Sequence, residues 1–161
     1  MGAGKSTVGK LLAKKLGRRF LDADHVIEGR CGVKIPVIFE MEGEEGFRKR
    51  ETQALKEITA EQDIILATGG GAVLLAENRK ILSERGMVIY LHANPMELFH
   101  RTRGGEGRPL LKNGDSRSTL ENLYTVRDPL YREIADHVIE TGKPSVNQLV
   151  NTLIMHLELS A

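Results

Sequence analysis

The sequence predicts an α/β fold, a three-layer arrangement in which helices cover both faces of a parallel sheet. Three observations carry this. Short apolar runs at residues 64–67, 87–91 and 137–140, with a weaker one at 19–21, are unbroken rather than alternating, as in parallel strands covered on both faces. Stretches with helical spacing lie between them. The opening Gly2-Ala3-Gly4-Lys5-Ser6-Thr7 reads as most of a phosphate-binding P-loop running into a helix. Strand and helix in alternation predict a doubly wound sheet with its ligand crevice at the carboxyl ends of the strands.

The first helix is expected after the loop, with Val8, Leu11, Leu12 and Leu16 on one face and Gly17 as its C-terminal cap. A second helix is expected to begin near His25. Residues 46–59 carry Phe47, Ala54, Leu55 and Ile58 at helical spacing, and another helix spans about 73–84 before Gly86. Asn94-Pro95 reads as an N-cap and first-turn proline of a helix to about Arg103. Ser118 is expected to cap a helix to Tyr124 or beyond, and Ser145 the last, with Leu149, Leu153, Ile154 and Leu157 as its buried stripe.

At 161 residues the chain is expected to form one domain with a sizeable core. Lys and Arg total 23 against 22 for Asp and Glu, so a net charge of +1 gives no field that would favour nucleic acid or an acidic membrane. A single cysteine, Cys31, excludes an internal disulfide, fits a reducing compartment and reads best as a small apolar filler. The five histidines lack metal-ligand spacing; only His25 stands out, because it follows Asp24. No secretory or spanning segment is visible.

The loop carries specific chemistry. Gly2, Ala3 and Gly4 let backbone N–H groups close around phosphate oxygens, Lys5 would reach the β- and γ-phosphates, and the Ser6 hydroxyl would ligate Mg²⁺. The same residues fit an N-myristoylation signal, but no polybasic second anchor sits beside them. The first glycine of the full pattern would fall one position before Met1, and no strand feeds the loop. The expectation is that Met1 is an internal methionine, and that a form without that strand is poorly stable and binds ATP weakly.

Asp22 and Asp24 follow the Phe20-Leu21 strand, and period-two geometry would aim both carboxylates to one side, toward the crevice. One could hold Mg²⁺ while the other accepts a proton or orients a hydroxyl; Asp22 is the expected metal residue. The alternative is that Asp24 merely caps the following helix. Gly69, Gly70 and Gly71, directly after a strand, offer backbone to a ligand pressed against them. Residues 101–114, with four glycines and Arg101, Arg103, Arg108 and Lys112, read as a lid. Arg108, beside Pro109, is placed to bring charge to a transferring phosphoryl. Arg48 and Arg127 could each hold a carboxylate through the planar guanidinium fork, although an isolated arginine is by default a solvated surface charge.

Taken in order, the P-loop, Phe20-Leu21-Asp22-Ala23-Asp24 with Ile27-Glu28, Glu42-Gly43-Glu44 before Gly46-Phe47-Arg48, Ala67-Thr68-Gly69-Gly70-Gly71, Arg108-Pro109-Leu110-Leu111 and Arg127-Asp128-Pro129-Leu130-Tyr131 resemble the shikimate kinase family across essentially the whole chain. The resemblance implies ATP-dependent phosphorylation of the shikimate 3-hydroxyl, on the way to chorismate and the aromatic amino acids, a pathway that points to a bacterial-type cytoplasm. It implies a P-loop, nucleoside-monophosphate-kinase-like fold, with a substrate-binding region at about 24–50 and the lid at 101–114. Asp24 would bind the shikimate hydroxyls and is the candidate base. Arg48 and Arg127 would grip the carboxylate, the Gly69–Gly71 backbone would line the substrate site, and Lys5 and Arg108 would stabilise phosphate charge. Ser6 and Asp22 would serve Mg²⁺, and Arg101 and Pro144 would flank adenine. The implied partner is a small-molecule substrate, with no nucleic acid or membrane, and a monomer is expected. The competing readings are a kinase for another acidic polyol, such as gluconate, and a truncated nucleotide-binding module with little activity.

Overall fold

The computed structural model describes residues 5–94, 96, 116–142 and 144–160. Helix α1 (Lys5–Leu16) leads through Gly17 into β1 (Arg19–Asp22), then α2 (Ala23–Cys31) and α3 (Ile35–Ile58). Strand β2 (Ile64–Ala67), a 3-10 turn (Ala72–Leu74) and α4 (Ala76–Arg85) follow. After them come β3 (Ile89–His92), α5 (Ser116–Ile134), β4 (His137–Glu140) and α6 (Val146–Ser160). Among the described residues no helix is long and apolar enough to cross a membrane.

All described strand pairs are parallel. β1 pairs with β2, Arg19 opposite Ile64 through Asp22 opposite Ala67; β3 pairs with β4, Ile89 opposite His137 through His92 opposite Glu140. Among the described residues β2 and β3 are not paired with each other, so the sheet stands as two halves. Helices α1 and α6 tie the halves together on one face. Val8, Leu12, Leu149, Val150 and Leu153 are buried there, packed against Ile65 of β2, Ile89 and Leu91 of β3, and Ile139 of β4. Burying a leucine or valine stabilises by roughly 1.5–3 kcal/mol, so this cluster is a principal anchor of the fold. On the β1–β2 side, Ile27, Ile38, Phe47, Ala54 and Ile58 bury against Leu21, Ile64 and Leu66.

The strands at 64–67 and 137–140 have the predicted bounds, and the run expected at 87–91 pairs as Ile89–His92. The predicted α1 stripe faces the core, with Val8 and Leu12 buried. Two expectations need correction. The helix expected at 46–59 begins at Ile35, where Pro36 occupies a first-turn position, and bends at Gly43, whose φ of 73° and ψ of 179° are not helical. Ser118 is not the N-cap of α5, because the helix already runs from Ser116. As expected, that helix extends beyond Tyr124, through Pro129 to Ile134. Proline there removes one backbone donor, yet buried Leu120 and Arg127 hold the helix ahead of it and Tyr131, after it, donates its hydroxyl to the Gly70 carbonyl. Ser145 does cap α6: its hydroxyl accepts from the Gln148 N–H at 3.2 Å while its own N–H donates to Gln148 Oε1 at 2.8 Å. The helix expected from Asn94-Pro95 lies mostly outside the described residues.

Two glycines with open surroundings separate backbone need from packing. Gly17 sits at φ 67° and Gly29 in the middle of α2; a Cβ on either would meet nothing within 4 Å. Gly17→Ala is expected to destabilise by about 1–2 kcal/mol because alanine resists the left-handed region. Gly29→Ala is expected to stabilise by roughly 0.5–1 kcal/mol by lowering unfolded-chain entropy. Urea unfolding midpoints of the two variants check this; equal shifts would contradict it.

Candidate active site

The site lies at the carboxyl ends of β1 and β2, where α1, α2, α3 and the glycine turn meet. Lys5, at the start of α1, reaches back so that its Nζ donates to the Thr68 carbonyl at 2.6 Å, just past the end of β2. The Ser6 hydroxyl donates to Asp22 Oδ2 at 3.2 Å. Asp22 ends β1 and caps α2: its Oδ1 accepts from the backbone N–H of Asp24 at 2.9 Å and of His25 at 3.3 Å. The strand-alternation expectation for the two acids is therefore corrected. Asp24 is not on the strand, because the Asp22 cap starts α2 at Ala23; the residue that caps is Asp22, not Asp24.

Asp24, in the first turn of α2, faces Gly69. A Cβ on that glycine would lie 2.9 Å from Asp24 Oδ1 and 3.3 Å from Glu51 Oε2, so only glycine lets the turn approach both carboxyls. Burial pushes the Asp24 carboxyl above its ordinary range, with Asp22 and Glu28 adding to the rise and Lys5 and Arg48 opposing it. Its Oδ1 is buried without a hydrogen-bond partner.

Arg48 and Glu51 sit one turn apart on α3 and are both buried. Arg48 Nη1 donates to Glu51 Oε1 at 3.0 Å, and Nη2 to Glu44 Oε1 at 3.3 Å. A Cβ on Gly71 would come within 2.7 Å of the Arg48 guanidinium carbon, so the glycine turn lies directly against this cation. Burial raises the Glu51 carboxyl, and Arg48 pulls it back. Arg127, from α5, is also buried; burial lowers its pKa and neighbouring Arg48 adds to that, although a guanidinium stays charged. Tyr131, one turn further along α5, donates its hydroxyl to the Gly70 carbonyl.

The unsatisfied atoms of this cluster have complementary chemistry. Arg48 Nε and Arg127 Nε are buried donors without a partner, and Asp24 Oδ1 and Glu51 Oε2 are buried acceptors without one. Buried polar groups are normally paired, and leaving one unpaired costs about 1–3 kcal/mol. Two cations and two carboxylates around a glycine turn suit a small ligand bearing one carboxylate and several hydroxyls.

The structure thus brings together Lys5, Ser6, Asp22, Asp24, Arg48, Gly69, Gly70, Gly71 and Arg127. Thr7 is exposed on the first turn of α1, and Pro144 is half-buried ahead of α6. Gly2, Ala3, Gly4, Arg101, Arg108 and the predicted lid lie outside the described residues. His25 is exposed, and Cys31 packs against the α2–α3 core as a filler. His92 is tied down, Nδ1 to Glu140 at 2.7 Å and Nε2 to the Tyr124 hydroxyl at 2.8 Å.

Sequence reasoning missed Glu51 and Tyr131. Glu51 falls four residues after Phe47 and four before Leu55, so helical periodicity marks it as core-facing, which is anomalous for a carboxylate without a ligand or partner. Tyr131 follows Arg127 by four residues and therefore shares its face.

The Ser6 hydroxyl and Asp22 Oδ2 approach each other, and both are hard oxygen ligands of the kind that would suit Mg²⁺. Among the described residues no group of three or more His, Cys, Asp or Glu could by itself hold a metal ion.

Comparison with known proteins agrees with this geometry. A family model described as shikimate kinase matches residues 1–158. A shikimate kinase of Burkholderia thailandensis is 59% identical over 160 residues, covering 99% of this chain and 87% of the relative. One from Ralstonia nicotianae is also 59% identical, covering 99% and 84%. Among solved structures, a shikimate kinase from Acinetobacter baumannii in complex with shikimate superimposes with a TM-score of 0.94 at 49% identity, covering 99% of this chain and 89% of that one. The Bacteroides thetaiotaomicron enzyme gives a TM-score of 0.91 at 30% identity, with coverage of 98% and 94%. With its P-loop lysine, its acid pair and its two buried arginines in one crevice, the chain belongs to the shikimate kinase family.

Proposed function

We propose that this chain transfers the γ-phosphoryl group of ATP to the 3-hydroxyl of shikimate. We read residues 1–161 as one kinase domain with its substrate region at about 24–50 and its lid at 101–114. The observation that carries the substrate assignment is the buried cluster of Arg48, Arg127, Asp24 and Glu51, with an unpartnered polar atom on each. The two guanidinium groups suit the shikimate carboxylate; Asp24 suits the ring hydroxyls, backed by the Gly69–Gly71 turn.

In the transfer, the 3-hydroxyl oxygen bonds to the γ-phosphorus, the bond from that phosphorus to the ADP oxygen breaks, and the hydroxyl proton passes to the Asp24 carboxylate. A carboxyl raised by burial is a better proton acceptor than an ordinary one. Phosphoryl transfer of this loose kind depends more on positioning than on base strength, so holding the hydroxyl in line is the larger part of Asp24's work. Lys5 stabilises phosphate charge, and Arg108 joins it from the lid. Ser6 and Asp22 hold Mg²⁺, which when bound neutralises charge on the phosphate oxygens. The P-loop backbone at Gly2, Ala3 and Gly4, together with Thr7, cradles the phosphates, and Arg101 and Pro144 flank adenine. We place the enzyme in the cytoplasm, acting as a monomer.

Coupled ADP release with shikimate and with gluconate tests the reading. Turnover with shikimate supports it; turnover with gluconate and none with shikimate would contradict it. Asp24→Asn is expected to lower kcat at least about tenfold with little change in the KM for ATP; near-normal kcat would remove Asp24 from the chemistry. Arg48→Lys is expected to raise the shikimate KM several-fold because the planar fork is lost, whereas an unchanged KM would take Arg48 out of the site.

The raised Asp24 carboxyl also predicts a stability effect. The folded state holds that proton more tightly than the unfolded chain does. Asp24's contribution is therefore complete below its ordinary titration range and declines as pH rises through the raised folded value. Asp24→Asn is expected to melt higher than wild type at neutral pH, by about 2 °C or more, with the advantage disappearing in acid. Thermal melts from pH 3 to pH 8 check this; a lower melting point for the variant at neutral pH would contradict it.

A further inference from the structure

Arg48 holds two acids of unequal freedom. Its Nη1 donates to Glu51 Oε1 at 3.0 Å and its Nη2 to Glu44 Oε1 at 3.3 Å. The Glu51 side chain is fully buried, whereas that of Glu44 is 55% exposed. The charge of Glu44 reaches Arg127 as well: burial lowers the Arg127 pKa most and Arg48 adds to it, while Tyr131, Glu44 and Glu51 oppose them. Neighbouring acids are committed elsewhere. Glu42 accepts from Arg50 Nε and Nη2 at 2.6 and 2.7 Å, and Glu45 pairs with Lys49 at 3.7 Å. Glu44 directly follows the non-helical bend at Gly43 and so heads the second half of α3, at the mouth of the arginine pair.

We propose that Glu44 is a placeholder for the substrate carboxylate, which rests on the reading of Arg48 and Arg127 as the carboxylate site. Glu44 holds the arginine pair while the site is empty and swings to solvent when a ligand carboxylate arrives, one anion replacing another. Two arginines and two glutamates already match in number here. A third carboxylate added to them would leave an anion in excess, and a buried charge without a partner is costly. Glu51 cannot leave, because it has no path to water. Glu44 can: water already reaches it, and its bond is longer than the roughly 2.7–2.9 Å of a strong charge-assisted contact. Breaking that contact costs every entering anion the same. A ligand with ring hydroxyls recovers the cost at Asp24 and the glycine turn, and a simple carboxylate does not. Glu44 is therefore a specificity-determining residue that acts through the arginines and takes no part in the bond changes.

Titration calorimetry of the nucleotide-free protein with shikimate and with shikimate methyl ester tests the exchange in wild type, Glu44→Gln and Glu42→Gln. Glu44→Gln keeps the shape of a half-exposed side chain and removes the competing charge. It is expected to bind shikimate about threefold or more tightly than wild type, the range of a partly exposed ion pair. Damage to the site would shift affinity the other way. The ester brings no charge to exchange, so its affinity for the same variant is expected to change less than about twofold. Glu42→Gln removes an equal charge two residues away and leaves the Arg48 contact in place; it is expected to match wild type with both ligands. Equal or weaker shikimate binding by Glu44→Gln, an equal gain for the ester, or an equal gain in Glu42→Gln would overturn the exchange and leave the arginine pair as the carboxylate site. Wild-type binding of shikimate no tighter than that of the ester would overturn the arginine pair as well, and the exchange with it.

Discussion

The salt bridge between Arg48 and Glu51, buried one turn apart on α3, is the constraint around which the rest of the site is arranged. Neither charge survives burial alone: removing one partner of a buried pair typically costs about 3–5 kcal/mol, because the other is left uncompensated. The pair fixes the face that α3 turns inward, and Phe47, Leu55 and Ile58 bury on either side of it. It also dictates glycine nearby. The turn after β2 runs so close to the Arg48 guanidinium and to the Asp24 and Glu51 carboxyls that a side chain at Gly69 or Gly71 would collide with them. The atoms that this packing leaves unsatisfied are those we propose the substrate meets.

The phosphate and substrate halves are joined by short connections through the ends of the strands. Lys5 is held on the Thr68 carbonyl, one residue before the glycine turn that faces Asp24. Ser6 is held on Asp22, whose other oxygen starts the helix that carries Asp24. The two-residue offset between the Asp22 and Asp24 carboxylates is thus built by one helix cap. On the far side, α5 delivers Arg127 and ties itself to the turn through Tyr131. The same helix is braced against β3 by the Tyr90 hydroxyl, which donates to Asp128 Oδ1 at 2.7 Å. Arg48 and Arg127 are therefore fixed from the two half-sheets, whose separation helices α1 and α6 set.

Much of this was legible in the residues, and what was not has identifiable causes. Strands β2 and β4 could be bounded because their apolar runs stop at a glycine turn or a charge. The α1 stripe could be read because Leu12 and Leu16 recur at helical spacing. The first half of α3 was missed because Gly43 interrupts the period, and the left-handed φ there is a bend that spacing does not reveal. The end of α5 was left open beyond Tyr124; the helix runs on through Pro129 to Ile134, with Leu120 and Arg127 buried ahead of the proline. The acid pair was assigned the right neighbourhood by the wrong geometry: alternation along a strand was expected, and a helix cap does the work. Glu51 escaped notice because a glutamate on a helix is ordinarily solvated, and only its place among Phe47, Ala54 and Leu55 argues otherwise.

The central claim is that the buried arginine pair and the unpartnered carboxylate oxygens form a binding site for shikimate that its carboxylate and hydroxyls complete. Titration calorimetry of the nucleotide-free protein with shikimate and with shikimate methyl ester tests this most directly. The ester keeps the ring and all hydroxyls and removes only the charge that Arg48 and Arg127 are placed to meet. The account predicts that the ester binds at least about tenfold more weakly than shikimate, a difference of about 1.4 kcal/mol. Equal affinity for the two ligands would contradict it.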